Sequence, residues 1–252
     1  MTWIKGKAGR PLDNQFDQSQ DSQLAMTAPT PGPIACRSCD LYEVCRLCGL
    51  IAIGENRGVQ RTGALKTLRA GTCLYRAGEP AHSLFAVRQG MLKSVEVGTD
   101  GEERIVAVHT PGDVLGTEAF AKRIFVHDVV ALQPVVCCEL PLSLLSDQYP
   151  RVRELSTALI NLLSRSSVPR STLAHGPMRS RVAGFILDLA RRFEERGLDS
   201  RSFSLGMTRQ EIANLLDTRI ETVSRMVQKM SRDREIAIAG QQVTLLSLKR
   251  AA

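Results

Sequence analysis

Seven cysteines carry most of the chemistry open to this 252-residue chain, and four of them crowd together. Cys36, Cys39, Cys45 and Cys48 fall within thirteen residues as C-x2-C-x5-C-x2-C. Thiols at that density, in a chain expected to be cytoplasmic, suggest metal or redox chemistry rather than a disulfide framework. Two-residue spacing lets both sulfurs of a pair turn towards one ion or cluster. Four local thiolates could close a tetrahedral zinc site. An iron–sulfur cluster also takes four thiolates, and irregular spacing in a loop is typical of it. Cys73 sits mid-strand and reads as core, since free cysteine is among the most buried residues. The histidines His82, His109, His127 and His175 form no motif-like pairing with a nucleophile, and no phosphate-cradling loop is present, so an enzyme is disfavoured.

A second chemically informative stretch runs from residue 207 to 230. Thr208 is followed three residues later by Glu211, and Thr218 by Glu221, which predicts two capping boxes opening two successive helices. Ile212, Leu215 and Leu216 make the apolar side of the first; Ile220, Val223, Met226, Val227 and Met230 make that of the second. Helices joined by so short a turn must cross steeply, as in a helix-turn-helix. The segment from Ile236 alternates around Gly240 as a two-stranded wing. On the second helix Arg219, Glu221, Thr222, Ser224, Arg225, Gln228 and Lys229 point away from the apolar stripe. Arginine bonds bidentately to guanine, glutamate accepts from cytosine N4, and serine reaches several base edges or a phosphate. Glu221 and Arg225 are also spaced for an ordinary i,i+4 ion pair.

These groups need a scaffold. Hydrophobic content of 43% with 23% charged residues is globular and excludes collagen, mucin and wholesale disorder. No apolar run reaches the roughly 18 to 20 residues of a membrane span, and the basic start lacks the apolar core of a secretory signal, so neither membrane nor export is expected. Of the net charge of +7, the last third holds a surplus of five, with 14 Lys and Arg against 9 Asp and Glu from Pro177 to Ala252. A compact basic domain is the footprint of a nucleic-acid binder.

Along the chain, residues 1–35 read as a flexible tail with a Pro-rich stop, and 36–146 as the cysteine loop and a β-barrel sensor domain. Strand-like runs flank the turn sequence Thr99-Asp100-Gly101-Glu102, and Gly71, Gly78, Gly90 and Gly112 punctuate the rest at jelly-roll spacing. Residues 147–176 read as a dimerisation helix and hinge. Val152, Leu155, Leu159 and Leu162 make the narrow stripe of a coiled-coil seam, although an amphipathic helix lying on the barrel would show it too. Pro169 should end or kink that helix. Residues 177–252 form the winged helix-turn-helix domain, led by a helix from Arg179 to Arg196 with Gly197 as its stop. The fold class is therefore α+β.

Met207-Thr-Arg-Gln-Glu-Ile-Ala-Asn-Leu-Leu-Asp-Thr-Arg-Ile-Glu-Thr-Val-Ser-Arg-Met resembles the reading head of the CRP/FNR family of bacterial transcription regulators, and the resemblance extends over about Cys36 to Leu248. It implies a homodimer that reads an inverted repeat of the TTGAT-N4-ATCAA type, with Glu221, Ser224 and Arg225 at base edges. Thr208, Arg209, Arg219 and Thr222 complete the expected DNA-facing set. It implies RNA polymerase as a partner, with the hairpin near Asp100 as a contact. Asp217 departs from the glycine common in the turn.

Family members with this barrel often bind a cyclic nucleotide. Gly116-Thr-Glu-Ala119 matches part of that phosphate pocket, but Val126-His127-Asp128 stands where an Arg-Ser pair belongs, so no cyclic nucleotide is expected. A pocket near Gly116 and Glu118 for another small molecule is a further alternative. The oxygen-responsive FNR branch carries C-x2-C-x5-C, matched by Cys36, Cys39 and Cys45, and a fourth ligand in a Cys-Glu-Ile-Pro-like segment. Val136-Cys137-Cys138-Glu139-Leu140-Pro141 matches it with Cys138 at the ligand position, which implies a [4Fe–4S] cluster. Strand alternation supports the choice, because Cys138 shares a face with Val136 and Leu140 while Cys137 shares one with Glu139. Cys48 is a spare thiol that could replace one of the four, and zinc is the alternative metal. Relatives carry an aspartate in the dimer helix where gapless counting places Ser167.

Overall fold

The computed structural model describes residues 33–53, 59–61, 64–146, 152–165 and 176–247. The polar tail up to residue 32, Ser167 and Pro169 lie outside them. Ile34, expected within the tail, is buried and exchanges hydrogen bonds with Arg88 of the barrel.

A short 3-10 turn at Cys36–Ser38 leads into helix α1 (Tyr42–Leu47). A small hairpin follows, β1 (Ile51–Ile53) with β2 (Val59–Arg61). The barrel strands are β3 (Leu65–Leu68), β4 (Cys73–Tyr75), β5 (Ser83–Gln89), β6 (Leu92–Val97), β7 (Glu103–His109), β8 (Val114–Leu115), β9 (Asp128–Ala131) and β10 (Val135–Pro141), with α2 (Ala119–Lys122) between β8 and β9 and α3 (Ser143–Ser146) after β10. They form two antiparallel four-stranded sheets, ordered β3-β10-β5-β8 and β4-β9-β6-β7, a jelly-roll arrangement. Inward side chains alternate along β9 and β10, and Leu68, Leu74, Phe85, Val87, Leu92, Val129, Val135 and Cys137 fill the space between the sheets. Gly71, Gly78, Gly90 and Gly112 all have positive φ. At Gly90 a side chain is excluded outright, since a Cβ would stand 2.3 Å from the Pro134 carbonyl. Cys73 is the first residue of β4 rather than its middle, and it is half-buried, donating its thiol to the Tyr75 carbonyl at 2.9 Å.

Helix α4 (Val152–Arg165) crosses outside the barrel. Its apolar stripe is not free to form a seam. Leu155 and Leu162 are buried in one core with Leu41, Val44, Leu47 and Cys48 of the cysteine segment and Leu84, Ala86 and Leu140 of the barrel, and Leu159 packs against the same core. The outward ridge is Ile160, 62% exposed, and Leu163, 40% exposed. This corrects the assignment of Leu155, Leu159 and Leu162 to a dimer seam: their stripe is used within the chain. Val152 opens the helix.

Helix α5 (Met178–Glu195) buries Val182, Phe185, Ile186, Leu189 and Phe193 along one face. Gly197, at φ +70°, ends it: its amide donates to Glu194 and that of Leu198 to Phe193, the paired bonds of a Schellman stop. Then come β11 (Ser202–Ser204), α6 (Arg209–Leu215), α7 (Ile220–Arg232), β12 (Ile236–Ala239) and β13 (Gln242–Leu245). The wing has three strands, ordered β11-β13-β12, one more than its alternation suggested. β11 is only three residues long and is held by pairing with β13, a distant partner that local pattern does not reveal.

This half packs directly on the barrel. Met91, Ile105 and Val108 belong to the same core as α5, α6 and α7. Lys93 pairs with Glu211 at 2.7 Å, and Asn214 accepts from the Ile105 amide at 2.6 Å while donating to the Glu103 carbonyl at 2.7 Å. Between α6 and α7, Asp217 adopts φ +47°. Aspartate tolerates this left-handed conformation better than most residues, which explains how the turn forms without glycine. Asp217→Val should therefore cost about 1 to 2 kcal/mol, while Asp217→Gly should leave stability unchanged or raise it. Urea unfolding of both variants checks this; equal midpoints would show that the turn does not constrain this position.

Candidate metal centre and reading head

Four thiols meet at one cavity. Cys36, Cys39 and Cys45 from the cysteine segment and Cys138 from β10 line it, with Ile34, Leu41, Leu50, Ile51, Ala86 and Leu140 as its apolar wall. The segment is wound tightly enough to aim them. The Cys39 amide donates to the Cys36 carbonyl at 3.1 Å, Tyr42 to Cys39 at 3.0 Å, and Leu50 to Cys45 at 2.9 Å. The Leu41 amide donates to Cys39 Sγ at 3.4 Å.

Cys138 and Cys137 part company because β10 is central in its sheet, paired with β3 on one side and β5 on the other. Cys137 is fully buried inside the barrel beside Val135, whereas Cys138 faces outward under the cysteine segment. The two faces are both apolar here, so polarity was a weaker guide than the comparison with Glu139 suggested; that carboxylate is satisfied by the Ser83 hydroxyl at 2.8 Å. A register shift between Val136 and Cys137 also interrupts the alternation. Cys48 does not line the cavity; it is buried between α1 and α4.

The thiols are shielded. Burial pushes Cys39 up to about 12, opposed by the Leu41 amide, increased by Cys138 and Asp40, and eased by the Arg196 charge. Burial also raises Cys45, and the sulfurs of Cys39, Cys138, Cys48 and Cys36 add to it. A bound cation reverses this, because a coordinating thiol is deprotonated outright. Arg88 stands in the wall, with Nη2 donating to the Ile34 carbonyl at 3.2 Å and a buried Nε that has no partner among the described residues. Among those residues no three Cys, His, Asp or Glu side chains converge closely enough to hold a single metal ion.

In the reading head, Thr208 caps α6 as expected: its hydroxyl accepts from the Glu211 amide at 3.2 Å, and its own amide donates to the Glu211 carboxylate at 2.9 Å. The second capping box does not form. Arg219, not Thr218, is the N-cap of α7, because the Thr218 amide is used by the Ala213 carbonyl in the turn. Val223, Val227 and Met230 are buried, and Arg219, Glu221, Arg225, Gln228 and Lys229 are exposed with Thr222 and Ser224 half-exposed. No Glu221–Arg225 ion pair occurs among the described residues, so both side chains stand free on the outer face. Arg209 is half-buried at the start of α6.

In the barrel, Gly116 and Glu118 line a wide cleft between barrel and α5 that also takes in Tyr75, His109, His127 and Arg192. Where a phosphate would want an arginine, Asp128 accepts from the Ala77 amide at 2.7 Å, and Arg123 is exposed at φ +57°.

A jelly-roll barrel, a long helix and a winged helix-turn-helix with a cation-bearing exposed helix define a two-domain DNA-binding regulator. Family models for a cyclic nucleotide-binding domain and a Crp-like helix-turn-helix domain match residues 65–149 and 180–250. The chain is 29% identical over 222 residues to the anaerobic regulatory protein of Haemophilus influenzae, covering 85% of each. It is 29% identical over 219 residues to the fumarate and nitrate reduction regulatory protein of Escherichia coli, covering 84% of this chain and 86% of that one. The solved structure of FixK2 from Bradyrhizobium japonicum matches with TM-score 0.63 and 24% identity over 76% of this chain and 99% of that one. The chain belongs to the CRP/FNR family of DNA-binding transcription regulators. Among the described residues no helix is long and apolar enough to cross a membrane.

The shielding has a kinetic consequence. Burial holds the Cys39 thiol protonated, so alkylation of Cys39 in the metal-free chain should be slower than that of an unstructured thiol. Iodoacetamide labelling followed by peptide mass spectrometry at pH 7 to 10 checks it. A rate equal to that of a free peptide would show that the segment opens without metal.

Proposed function

We propose that this chain is a cytoplasmic, homodimeric regulator that responds to oxygen through a [4Fe–4S] cluster on Cys36, Cys39, Cys45 and Cys138 and controls anaerobic or microaerobic genes. The observation that carries the reading is the single cavity those four thiols line, to the exclusion of Cys48 and Cys137. The donor set fits such a group. Its thiols surround a volume rather than a point, as suits a cluster in which each iron takes its own thiolate. The wall is mostly apolar, and the unpartnered Arg88 Nε offers a cationic donor to an anionic assembly. The names of the relatives, anaerobic regulatory protein and fumarate and nitrate reduction regulatory protein, point the same way.

When bound, the cluster supplies an oxygen-labile group that holds the cysteine segment together. The chain's own residues carry the consequence: α1 lies against α4 through Val44, Leu47, Leu155 and Leu162, so a rearranged segment disturbs α4 directly. The outward ridge of Ile160 and Leu163 is the surface offered to a second copy. A twofold dimer places two α7 helices on an inverted repeat of the TTGAT-N4-ATCAA type. Glu221, Ser224 and Arg225 read base edges, with Arg219 and Thr222 beside them and Thr208 and Arg209 at the backbone. The hairpin tip at Asp100, exposed and braced by Arg104, is a contact for RNA polymerase.

Anaerobic purification should yield about four iron and four sulfide per chain, bleaching in air. A colourless protein with about one zinc, indifferent to air, would replace the sensor and keep the DNA-binding. Cys138→Ala should lose the iron and Cys137→Ala keep it; the reverse would assign the fourth ligand to the wrong face of β10. For the reading head, Arg225→Ala should remove roughly 1 to 3 kcal/mol of discrimination at the half-site guanine. Unchanged footprints on specific and scrambled duplexes would refute that assignment.

A further inference from the structure

We infer that Arg196 is a positioning residue that clamps the chain on both sides of Cys39 and thereby couples the cysteine segment directly to the DNA-binding half. The link to oxygen rests on the proposed function; the clamp itself does not. Arg196 follows the last turn of α5, the first element of the DNA-binding half. Its Nη1 donates to the Ser38 carbonyl at 2.8 Å and its Nη2 to Asp40 Oδ2 at 2.6 Å. Cys39 lies between these two acceptors. The guanidinium is a rigid fork, so one side chain fixes both acceptors at once, as a lysine cannot.

The junction is built around that fork. Both partners are largely withdrawn from water, with side-chain exposures of 15% for Arg196 and 11% for Asp40. The Asp40 amide donates to the Gly112 carbonyl at 3.1 Å. A Cβ at Gly112 would stand 2.3 Å from Arg196 Nε, so the absence of a side chain there makes room for the arginine. One turn earlier Arg192 pairs with Asp113 and donates to the Val108 carbonyl at 2.9 Å, which lays the end of α5 along the barrel. At its other end the connection reaches the reading helix, because Val182 and Ile186 of α5 share a core with Val223 and Val227 of α7. Movement at Ser38–Asp40 therefore acts on the seat of α7 without passing through α4.

Coupling between two sites is reciprocal, so the clamp can be tested in the metal-free full-length protein. Amide hydrogen exchange is measured with and without excess TTGAT-N4-ATCAA duplex at low salt. In the unmodified chain the duplex should alter exchange over residues 36–47. Arg196→Ala should speed exchange there about tenfold without duplex, leave β5 and β6 unchanged, and abolish the response to duplex. Asp40→Asn, which keeps the shape and removes the charge, should do the same if the alanine variant folds poorly. Arg191→Ala, on the same helix but paired among the described residues only with Asp188 and Glu195 of that helix, should do neither. The inference is overturned if the segment exchanges at the same rate in all variants, if exchange rises equally across the barrel, or if duplex acts on the segment equally with and without Arg196. A chain that holds no iron under anaerobic purification yet behaves as expected here would remove the cluster and leave the clamp standing.

Discussion

The arrangement depends on β10 being buried on both faces. A strand in the middle of a sheet usually divides its side chains between core and solvent. Here one face closes the barrel through Val135 and Cys137, and the other is roofed by the cysteine segment through Cys138 and Leu140. The roof exists because Leu41, Val44 and Leu47 need apolar cover that so short a helix cannot supply for itself. Two adjacent cysteines thus have unrelated surroundings: one packs a core, the other closes a thiol-lined cavity. The same geometry brings residues about a hundred positions apart to one place.

Covering the roof has a consequence for α4. Helix α1 has apolar residues facing both β10 and α4, so the Leu155–Leu162 stripe is consumed inside the chain. The adjacent ridge is left outward, where Ile160 stands mostly exposed. The two faces lie side by side on one helix, so a shift of α1 cannot move one without the other. A coupling through α4 requires this shared use; a helix with separate surfaces and slack between them would transmit nothing.

Much of this was legible in the sequence where the signal is local. The reading head, the Gly197 stop and the hairpin at Asp100 follow from spacing and turn chemistry, and all three stand in the structure. The signals that misled have a common cause. A three-four apolar stripe shows that a helix buries a face but not what covers it, so Leu155 and Leu162 could not be assigned between a partner and the chain itself. Thr218 and Glu221 have capping-box spacing, yet the turn captures the Thr218 amide and starts α7 one residue later. The third wing strand and the contacts of Arg196 join residues distant in sequence, where local spacing offers no pattern. Cys138 was distinguishable from Cys137 through resemblance and alternation together, and alternation alone was blurred by the register shift beside it.

Glu211 shows why the two halves act together. One carboxylate oxygen completes the Thr208 cap and the other meets Lys93 of the barrel. Burial would raise its pKa, but Lys93 and the Thr208 amide outweigh that and hold it low. The cap of α6 and the docking of α6 on the β6–β7 hairpin therefore draw on the same ionised group. Asn214, one turn later, adds two hydrogen bonds to the backbone of β7. Undocking the head must weaken its first helix as well as expose its core. An intermediate with the head intact but loose is then disfavoured, because the cap of α6 and its docking on the barrel share one carboxylate and are weakened together.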